Sequence, residues 1–363
     1  MPQEPELRWI DPGVGETRAE LCQVRSTRAE TMLLFGTLQH SAKGEPGARL
    51  ERRIVLTPSL AKQLAASLAN AVRAYEARSG GSNATPAGLI ESAARDQDVP
   101  AAVRPLLGLV RGLGAGFGFE KSFKMSAGDL RGDRVILGVR TRLVGEAALV
   151  GLCRGIGMPA EHLAQFAGRL GEANTAGFGF EGDGRGGVYK VYLEFWDKLW
   201  QRVQRDPRDV SPALLFLGFK WAAKGGSRRA IARYTCHPLL PVPAIGRRLD
   251  ALYEGRADSP SLQAARDILA LAAARVGRDS FVYVEAEEEG NPRRSFDLNL
   301  YKARLRVADL QPVLQALAKR YRIAPALRKL LGQAGDRPFG HLSGGLGRDG
   351  RDFLTVYYEI EGL

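Results

Sequence analysis

Charged and hydroxyl-bearing side chains occupy every second position in several short segments of the chain. They fall at Arg140 and Arg142, at Lys190 and Tyr192, and at Tyr283, Asp297, Asn299, Tyr301, Thr355 and Tyr357. Residues two apart lie on the same face of a β-strand. The intervening positions, such as Val191 and Leu193, are largely apolar. Each segment therefore predicts a strand with one apolar and one polar face, and the polar face suits a polar or anionic ligand.

These segments belong to five pairs of predicted strands. The pairs are 116–124 with 133–143, 175–183 with 187–195, 213–221 with 228–236, 280–288 with 293–301, and 339–347 with 351–360. Turn residues join the two strands of each pair. Amphipathic segments predict helices between the pairs, at 100–113, 147–171, 195–205, 243–275 and 307–332. A unit of two strands and a helix that recurs five times is an internal repeat.

Ten antiparallel strands with all helices on one side predict a closed barrel, because closure removes exposed sheet edges. The apolar strand faces would then pack against an outer ring of helices. The polar faces would line a wide lumen. The predicted fold class is α+β, and the alternative is an open sheet whose polar face meets solvent.

Five αββα units around ten strands and a polar lumen resemble the PT barrel, or ABBA fold, of aromatic and peptide prenyltransferases. The resemblance covers residues 86–363. Its most telling local match is Lys190-Val191-Tyr192, which is similar to the family's Lys-x-Tyr pair. The resemblance implies that Lys190 and Tyr192 contact a prenyl diphosphate and that Arg140 binds the same diphosphate.

Further residues take their expected roles from the same resemblance. Glu120 stands where indole-modifying members place the carboxylate that receives the acceptor's proton. Tyr301 and Tyr357 resemble the tyrosines that shield the allylic cation. In the third unit, Lys220 and Arg233 stand where the family has an Arg-x-Lys-x-Tyr run. The remaining candidates for substrate binding are Arg142, Tyr283 and His341, and His341 is also an alternative base or a structural histidine.

The implied reaction is metal-independent transfer of a prenyl group to an aromatic small molecule or a peptide side chain. Arginines and lysines neutralise the diphosphate, which carries about three negative charges. The magnesium-binding DDxxD motif is absent from the sequence, so no metal or other cofactor is expected. The chain ends three residues after the last predicted strand, which leaves one barrel mouth open and favours a peptide acceptor. The other function class is a non-catalytic barrel that binds a polyanionic ligand or a protein partner.

Residues 1–80 predict a separate small α+β domain, followed by a linker-like stretch at 78–86. Three strands are predicted at 19–25, 31–38 and 50–57, and a helix follows to about residue 77. This domain resembles a small bacterial domain of unknown function through an FG turn, a strand ending in TP and a helix ending in YE. Here these are Phe35-Gly36, Thr57-Pro58 and Tyr75-Glu76. The resemblance implies no chemistry, so an interaction module that forms a homodimer is expected.

The composition is that of a globular protein, and the net charge limits the chemical classes of partner that we expect. The 363 residues include 45% hydrophobic ones, and 52 Lys+Arg against 40 Asp+Glu give a net charge of +12. This excess indicates either a polyanionic partner or an arginine-rich surface. No long basic run occurs, which disfavours nucleic acid. The sequence shows no long apolar span, secretory signal or CxxC pair, so a cytoplasmic protein without membrane contact is expected.

The pattern Gly182-x-Gly184-x-x-Gly187 lies between two predicted strands and predicts a hairpin turn rather than a dinucleotide loop.

Overall fold

The computed structural model describes residues 21–26, 30–40, 46–57, 59–61, 64, 99–182, 186–206, 209–225, 229–276 and 281–361. By their contacts, the residues separate into two compact units, Met1–Thr85 and Pro86–Leu363. The predicted linker, Pro58, the Tyr75-Glu76 pair and Gly184 lie outside the described residues. None of the described helices is long and apolar enough to cross a bilayer.

The first unit contains a three-stranded antiparallel sheet. Its strands are β1 (Leu21–Ser26), β2 (Thr31–His40) and β3 (Pro46–Leu56), in that order. Phe35-Gly36, which we expected to be a turn, lies inside β2 at a register shift against β3. A Cβ atom at Gly36 would lie 2.5 Å from the Arg49 carbonyl oxygen. Glycine is needed there because the two backbones approach too closely for any side chain.

The second unit contains a closed barrel of ten antiparallel strands, as the sequence predicts. The strands are β4 (Phe117–Ser126), β5 (Asp129–Arg140), β6 (Thr175–Glu181), β7 (Val188–Glu194), β8 (Ala213–Ala222), β9 (Arg229–His237), β10 (Val282–Glu288), β11 (Asn291–Asn299), β12 (Phe339–Leu346) and β13 (Asp352–Glu361). Neighbours along the chain pair in sequence order, and β13 pairs with β4 to close the barrel. No strand edge of the ten is left unpaired, which accounts for the stability of a sheet with a polar inner face.

Eight α-helices follow among the described residues of this unit. They are α1 (Arg104–Arg111), α2 (Glu146–Gly155), α3 (Ala160–Leu170), α4 (Trp196–Arg205), α5 (Val242–Leu252), α6 (Pro260–Val276), α7 (Gln311–Tyr321) and α8 (Ala324–Ala334). Short 3-10 turns lie at Ala101–Val103, Thr141–Leu143, Tyr301–Ala303 and Val307–Leu310. Three of the long helices that the sequence predicts are each divided into two helices in the structure. Gly157 has φ 72° at one of these divisions, and Arg322 has φ 58° at another. A residue in the left-handed conformation ends an α-helix.

The apolar core lies between the outer faces of the strands and the helices. One cluster joins Phe178 and Phe219 to Leu107 of α1, and a second joins Phe296 to Leu314 of α7. Side chains on the opposite strand faces point into the barrel. This separation places the core outside the sheet and leaves the lumen to polar residues.

Strand β10 faces the opposite way to the prediction. Tyr283 is fully buried in the core beside the helices, whereas Val284 faces inward and packs with Leu215 and Cys236. Val284 pairs directly with Asp297 of β11, which lines the lumen. Alternation identified the two faces of β10 but assigned them to the wrong sides, because Glu285 on the polar face meets Arg248 of α5 outside the barrel. The prediction that Tyr283 binds substrate in the lumen is therefore wrong.

Candidate functional site

The barrel lumen contains two connected cavities. The basic chamber, about 350 Å³ in volume, lies toward the hairpin turns and contains seven cations and four carboxylates. The cations are Lys124, Arg131, Arg134, Lys190, Lys220, Arg293 and Arg348, and the acids are Glu181, Glu288, Asp297 and Asp349. The carboxylate chamber, about 440 Å³, lies toward the opposite strand ends, near Glu120, Glu194 and Tyr301. Both chambers share the side chains Tyr192, Tyr234, Tyr357 and Asp297.

Glu181 on β6 organises one side of the basic chamber. Its Oε2 atom lies 2.6 Å from Nη1 of Arg134 on β5 and also forms an ion pair with Lys190 on β7. Arg134 Nε donates a hydrogen bond to Ser122 Oγ at 3.2 Å. Arg134 and Glu181 are directly opposite each other in the β5–β6 ladder. One carboxylate thus holds two cations, one from each strand beside β6, and both line the chamber.

Glu288 on β10 organises the other side. Its Oε1 atom accepts hydrogen bonds from Lys220 Nζ at 2.5 Å and Arg293 Nη1 at 2.7 Å, and Arg348 binds Oε2. Strands β8 and β10 are two strand spacings apart, about 10 Å, with β9 between them. The β9 residues opposite Lys220 and Glu288 are Ala230 and Ala232. Because both are small, the Lys220–Glu288 pair can pass over β9.

The cations of the basic chamber are crowded and largely removed from water. The pKa of Lys124 is lowered to about 7 and that of Lys190 to about 8, mainly by burial; Glu181 opposes this shift and the Arg134 charge adds to it. Burial and the Arg293 charge hold the pKa of Lys220 well below its usual range. Arg293 Nε is buried and has no acceptor among the described residues. An anion in the chamber would relieve this repulsion.

Three tyrosines form a belt between the chambers. The rings of Tyr192 on β7 and Tyr234 on β9 meet edge to face with centroids 5.9 Å apart. Gly218 on β8 lies between them, and a Cβ there would be 3.1 Å from the Tyr192 ring and 3.2 Å from the Tyr234 ring. Tyr357 on β13 completes the belt. Burial raises the pKa of Tyr192 well above its usual value and also raises that of Tyr234, so these two side chains are neutral phenols.

A line of three ionisable groups crosses the carboxylate chamber. His341 on β12 lies with Nε2 3.0 Å from Glu120 Oε1 and Nδ1 2.8 Å from Asp297 Oδ2. The Tyr357 ring stacks on the imidazole with centroids 3.9 Å apart and planes inclined by 10°. Tyr301 donates a hydrogen bond to the other oxygen of Glu120 at 3.3 Å. Glu120 therefore has one oxygen bound to the imidazole and the other bound to the Tyr301 hydroxyl, within the lining of the cavity.

The carboxylate chamber is acidic, in contrast to the basic chamber. Burial disfavours the imidazolium of His341, but Asp297 and Glu120 raise its pKa well above the usual value. Burial also raises the pKa of Glu194 at the chamber wall. The described lining residues include three carboxylates and no lysine or arginine. This chamber can hold a base and suits a neutral or cationic ligand.

The structure brings seven of the residues singled out from the sequence into one lumen. Those that line the basic chamber or the belt are Lys190, Tyr192, Lys220 and Tyr357, and those in the carboxylate chamber are Glu120, Tyr301 and His341. Tyr301 reaches the cavity from a 3-10 turn after β11 rather than from the strand itself.

Arg140 and Arg142 lie away from Lys190. Arg140 is the last residue of β5 and pairs with Thr175, whereas Arg134 pairs with Glu181. Six residues of strand separate the two arginines by about 20 Å. Arg140 therefore does not approach Lys190 and Tyr192 as expected. Arg142 is exposed in a 3-10 turn and lines a separate cavity with Arg140.

Arg233 lies on the outer face of the barrel. Its side chain is 57% exposed and pairs loosely with Glu289 at 3.6 Å. The inward positions of β9 carry Ala230, Ala232 and Tyr234 instead of cations. The expectation that Arg233 binds substrate is wrong because it has the opposite parity to Tyr234 on the same strand.

Sequence reasoning missed several cations of the basic chamber. Arg134 lies on the same face of β5 as Arg140, so alternation alone could have found it. Tyr234 and Arg293 likewise follow from alternation once one inward residue of each strand is known. Arg348 comes from the β12–β13 turn, and no local pattern predicts that a turn residue points into a lumen.

Comparisons with known proteins concern both parts of the chain. Residues 1–83 match the model of a family described as a protein of unknown function, DUF3467. The structure is similar to 5-dimethylallyltryptophan synthase from Streptomyces coelicolor, with a TM-score of 0.46 and 15% identity over 66% of this chain and 80% of that chain. It is also similar to 6-dimethylallyltryptophan synthase from Micromonospora olivasterospora in complex with DMASPP and Trp, with a TM-score of 0.40 and 16% identity over 66% and 81%. A third similar structure is PriB bound to product diphosphate, with a TM-score of 0.45 and 13% identity over 67% and 79%. No curated protein sequence matches the chain.

Proposed function

We propose that residues 86–363 transfer a prenyl group from a prenyl diphosphate to an aromatic or peptide acceptor side chain. One observation carries the proposal. A single lumen joins a cation-rich chamber to a chamber that contains a carboxylate base, and a belt of tyrosines lies between them. Ionisation of an allylic diphosphate and capture of its carbocation need these three environments in this order.

The basic chamber is the proposed donor site. Arg134, Lys190, Lys220 and Arg293 would hold the diphosphate, since all four line the chamber. Negative charge grows on the leaving oxygen as the C1–O bond breaks. Charge-assisted hydrogen bonds to that oxygen strengthen in the transition state and so accelerate ionisation. The proposal requires no metal for this step because the chamber's own cations neutralise the charge.

The tyrosine belt is the proposed site of the carbocation. Its ring faces attract an allylic cation by cation–π interaction. The edge-to-face pair of Tyr192 and Tyr234 is half-buried and lines both chambers, so its rings lie where the cation would form. The rings would also keep water from the cation, so that the acceptor and not water captures it.

Glu120 is the proposed base. The acceptor atom forms a bond to C1 of the prenyl group, the electron pair of the C1–O bond leaves with the diphosphate, and the acceptor's proton moves to Glu120 Oε2. His341 binds Oε1, and Tyr301 donates a hydrogen bond of 3.3 Å to Oε2, which keeps a second lone pair for the acceptor's proton. A positioned carboxylate within hydrogen-bond reach of the acceptor is what this proton transfer requires.

The charge of the carboxylate chamber bears on the acceptor. A net positive chain attracts acidic partners in general, but Glu120, Glu194 and Asp297 line the proposed acceptor chamber. We therefore propose an acceptor group that is neutral or cationic where it enters the barrel, presented by a peptide or by a small aromatic molecule. Residues 1–80 are proposed as an interaction module and as the contact in a homodimer.

The test is turnover of dimethylallyl or geranyl diphosphate with a panel of free aromatic amino acids and short peptides. We expect prenylated acceptor in the presence of a chelator, and better turnover of neutral and basic peptides than of acidic ones. The alternative is a non-catalytic barrel whose basic chamber binds a polyanion. Tight diphosphate binding with no product from any acceptor would support that alternative and refute the enzyme.

A further inference from the structure

We propose that Asp297 and His341 form a positioning pair that keeps His341 as an imidazolium and aims Glu120 at the acceptor. This inference rests on the proposed function, because it assigns the proton acceptor of that reaction a built-in partner. It adds two residues on β11 and β12 to a base that lies on β4.

The contacts of His341 disfavour both tautomers of the neutral imidazole. Nδ1 lies 2.8 and 3.0 Å from the two oxygens of Asp297, and Nε2 lies 3.0 Å from Glu120. A neutral imidazole has one N–H donor and one lone pair. One lone pair would then face a carboxylate at hydrogen-bond distance, which is repulsive. An imidazolium donates to both acids and removes this repulsion.

The neighbouring strands hold the imidazole in this position. Tyr357 pairs with His341 across the β12–β13 ladder, and its ring stacks flat on the imidazole. Glu120 on β4 reaches His341 across β13. Stacking fixes the ring plane, and the two carboxylates fix the rotation within that plane, so His341 has one orientation in the folded protein.

The ionisable groups that line the carboxylate chamber favour the same protonation state. They are Glu120 and Asp297 in direct contact, Tyr301 on Glu120, Tyr357 on the imidazole face, and Glu194 across the chamber. Arg140, by contrast, lies beyond Glu194, and the cations of the basic chamber lie beyond Asp297. The described lining of the chamber includes no lysine or arginine that would oppose the imidazolium. The line Asp297–His341–Glu120 therefore carries one net negative charge before the reaction and none after Glu120 gains the acceptor's proton.

The imidazolium has a consequence for the order of the reaction. A carboxylate beside a cation is a weaker base, so Glu120 is poorly suited to removing a proton from a neutral acceptor. Bond formation to the prenyl carbon makes the acceptor cationic and its proton acidic. Glu120 Oε2 would take the proton at that stage, and the pair Asp297–His341 is a positioning device rather than a catalytic base.

The first experiment observes the imidazole directly. The ¹⁵N chemical shifts of the histidine side chains would be followed from pH 5.5 to 8.5 in the intact ligand-free protein, with His341→Gln identifying the signal. We expect His341 to remain an imidazolium through pH 8, and Asp297→Asn to bring its titration into the range of pH 6–8. A neutral His341 at pH 7 in the unmodified protein would overturn the proposal, whether or not the protein transfers a prenyl group.

The second experiment measures transfer. We expect Asp297→Asn to lower kcat by about 10- to 100-fold without weakening donor binding, because it removes a negative charge that also lines the basic chamber. Its rate should fall as pH rises through about 6–8. His341→Gln, which keeps one donor to Glu120, should retain more activity than His341→Ala. Asp250→Asn on the outer helix α5 is the matched control. An unchanged kcat and pH profile in Asp297→Asn would refute the positioning pair, whereas absence of transfer in the parent protein would refute the proposed function itself.

Discussion

Arg134 and Arg140 offer a matched comparison of two arginines on one face of one strand. Arg134 is buried beside Glu181 and Ser122, and Arg140 lies at the far end of β5 near Thr175. A hydrogen bond to a charged group contributes about 1.5–3 kcal/mol. Removing Arg134 forfeits at least one such bond to the diphosphate, but it also relieves Lys124, whose pKa of about 7 is lowered in part by Arg134. The net loss should be about 2 kcal/mol, which is about 30-fold in affinity.

The assay is calorimetric titration of a non-reactive prenyl diphosphate analogue at pH 7. We expect Arg134→Met to weaken binding by about 30-fold and Arg140→Met to leave it within about twofold. Thermal unfolding of both variants serves as the control for structure, since Arg134 is also a partner of buried Glu181. Equal affinities in the two variants, or a larger loss in Arg140→Met, would refute the assignment of the basic chamber as the diphosphate site.

Three further predictions concern the base, the belt and the charge of the basic chamber. Glu120→Gln should lower kcat by about 100-fold while donor affinity stays within about twofold, as measured by product mass and calorimetry. Gly218→Ala, whose Cβ would crowd both rings of the belt, should cost about 1–3 kcal/mol of stability in chemical unfolding, whereas Gly177→Ala, with its nearest contact at 3.5 Å, should be neutral. Diphosphate affinity should fall as pH rises through 7, because the bound anion favours charged Lys124; Lys124→Met should show a shallower fall with the same ligand.

The repeat pattern of the sequence was sufficient to predict the barrel. Five strand pairs with helices between them have few arrangements in which every strand edge is paired, and a closed barrel is one of them. Alternation then identified the inner face of β7, where Lys190 and Tyr192 point into the lumen. These predictions depend on local period and on the number of strands, which are properties of the sequence itself.

Two properties depend on tertiary structure: the level in the barrel at which a strand residue lies, and the face of a strand that is turned inward. Arg140 and Arg134 share a face, and the ladder register decides which of them meets Glu181. Tyr283 lies on the polar face of β10, and the pairing of β10 with β11 turns that face outward. Arg348 reaches Glu288 from a turn. Register, pairing and turn geometry involve residues far apart in the chain, so alternation within one segment does not predict them.

The most direct test of prenyl transfer inside this lumen is the stoichiometry of the two products. Dimethylallyl diphosphate and a neutral peptide that contains tryptophan or tyrosine would be incubated with the full chain. The amounts of released diphosphate and of prenylated peptide would then be measured in the same reaction. The account predicts equal amounts of both, with the prenylated peptide strongly reduced in Glu120→Gln. Diphosphate released without prenylated peptide, or bound donor with no release at all, would contradict it.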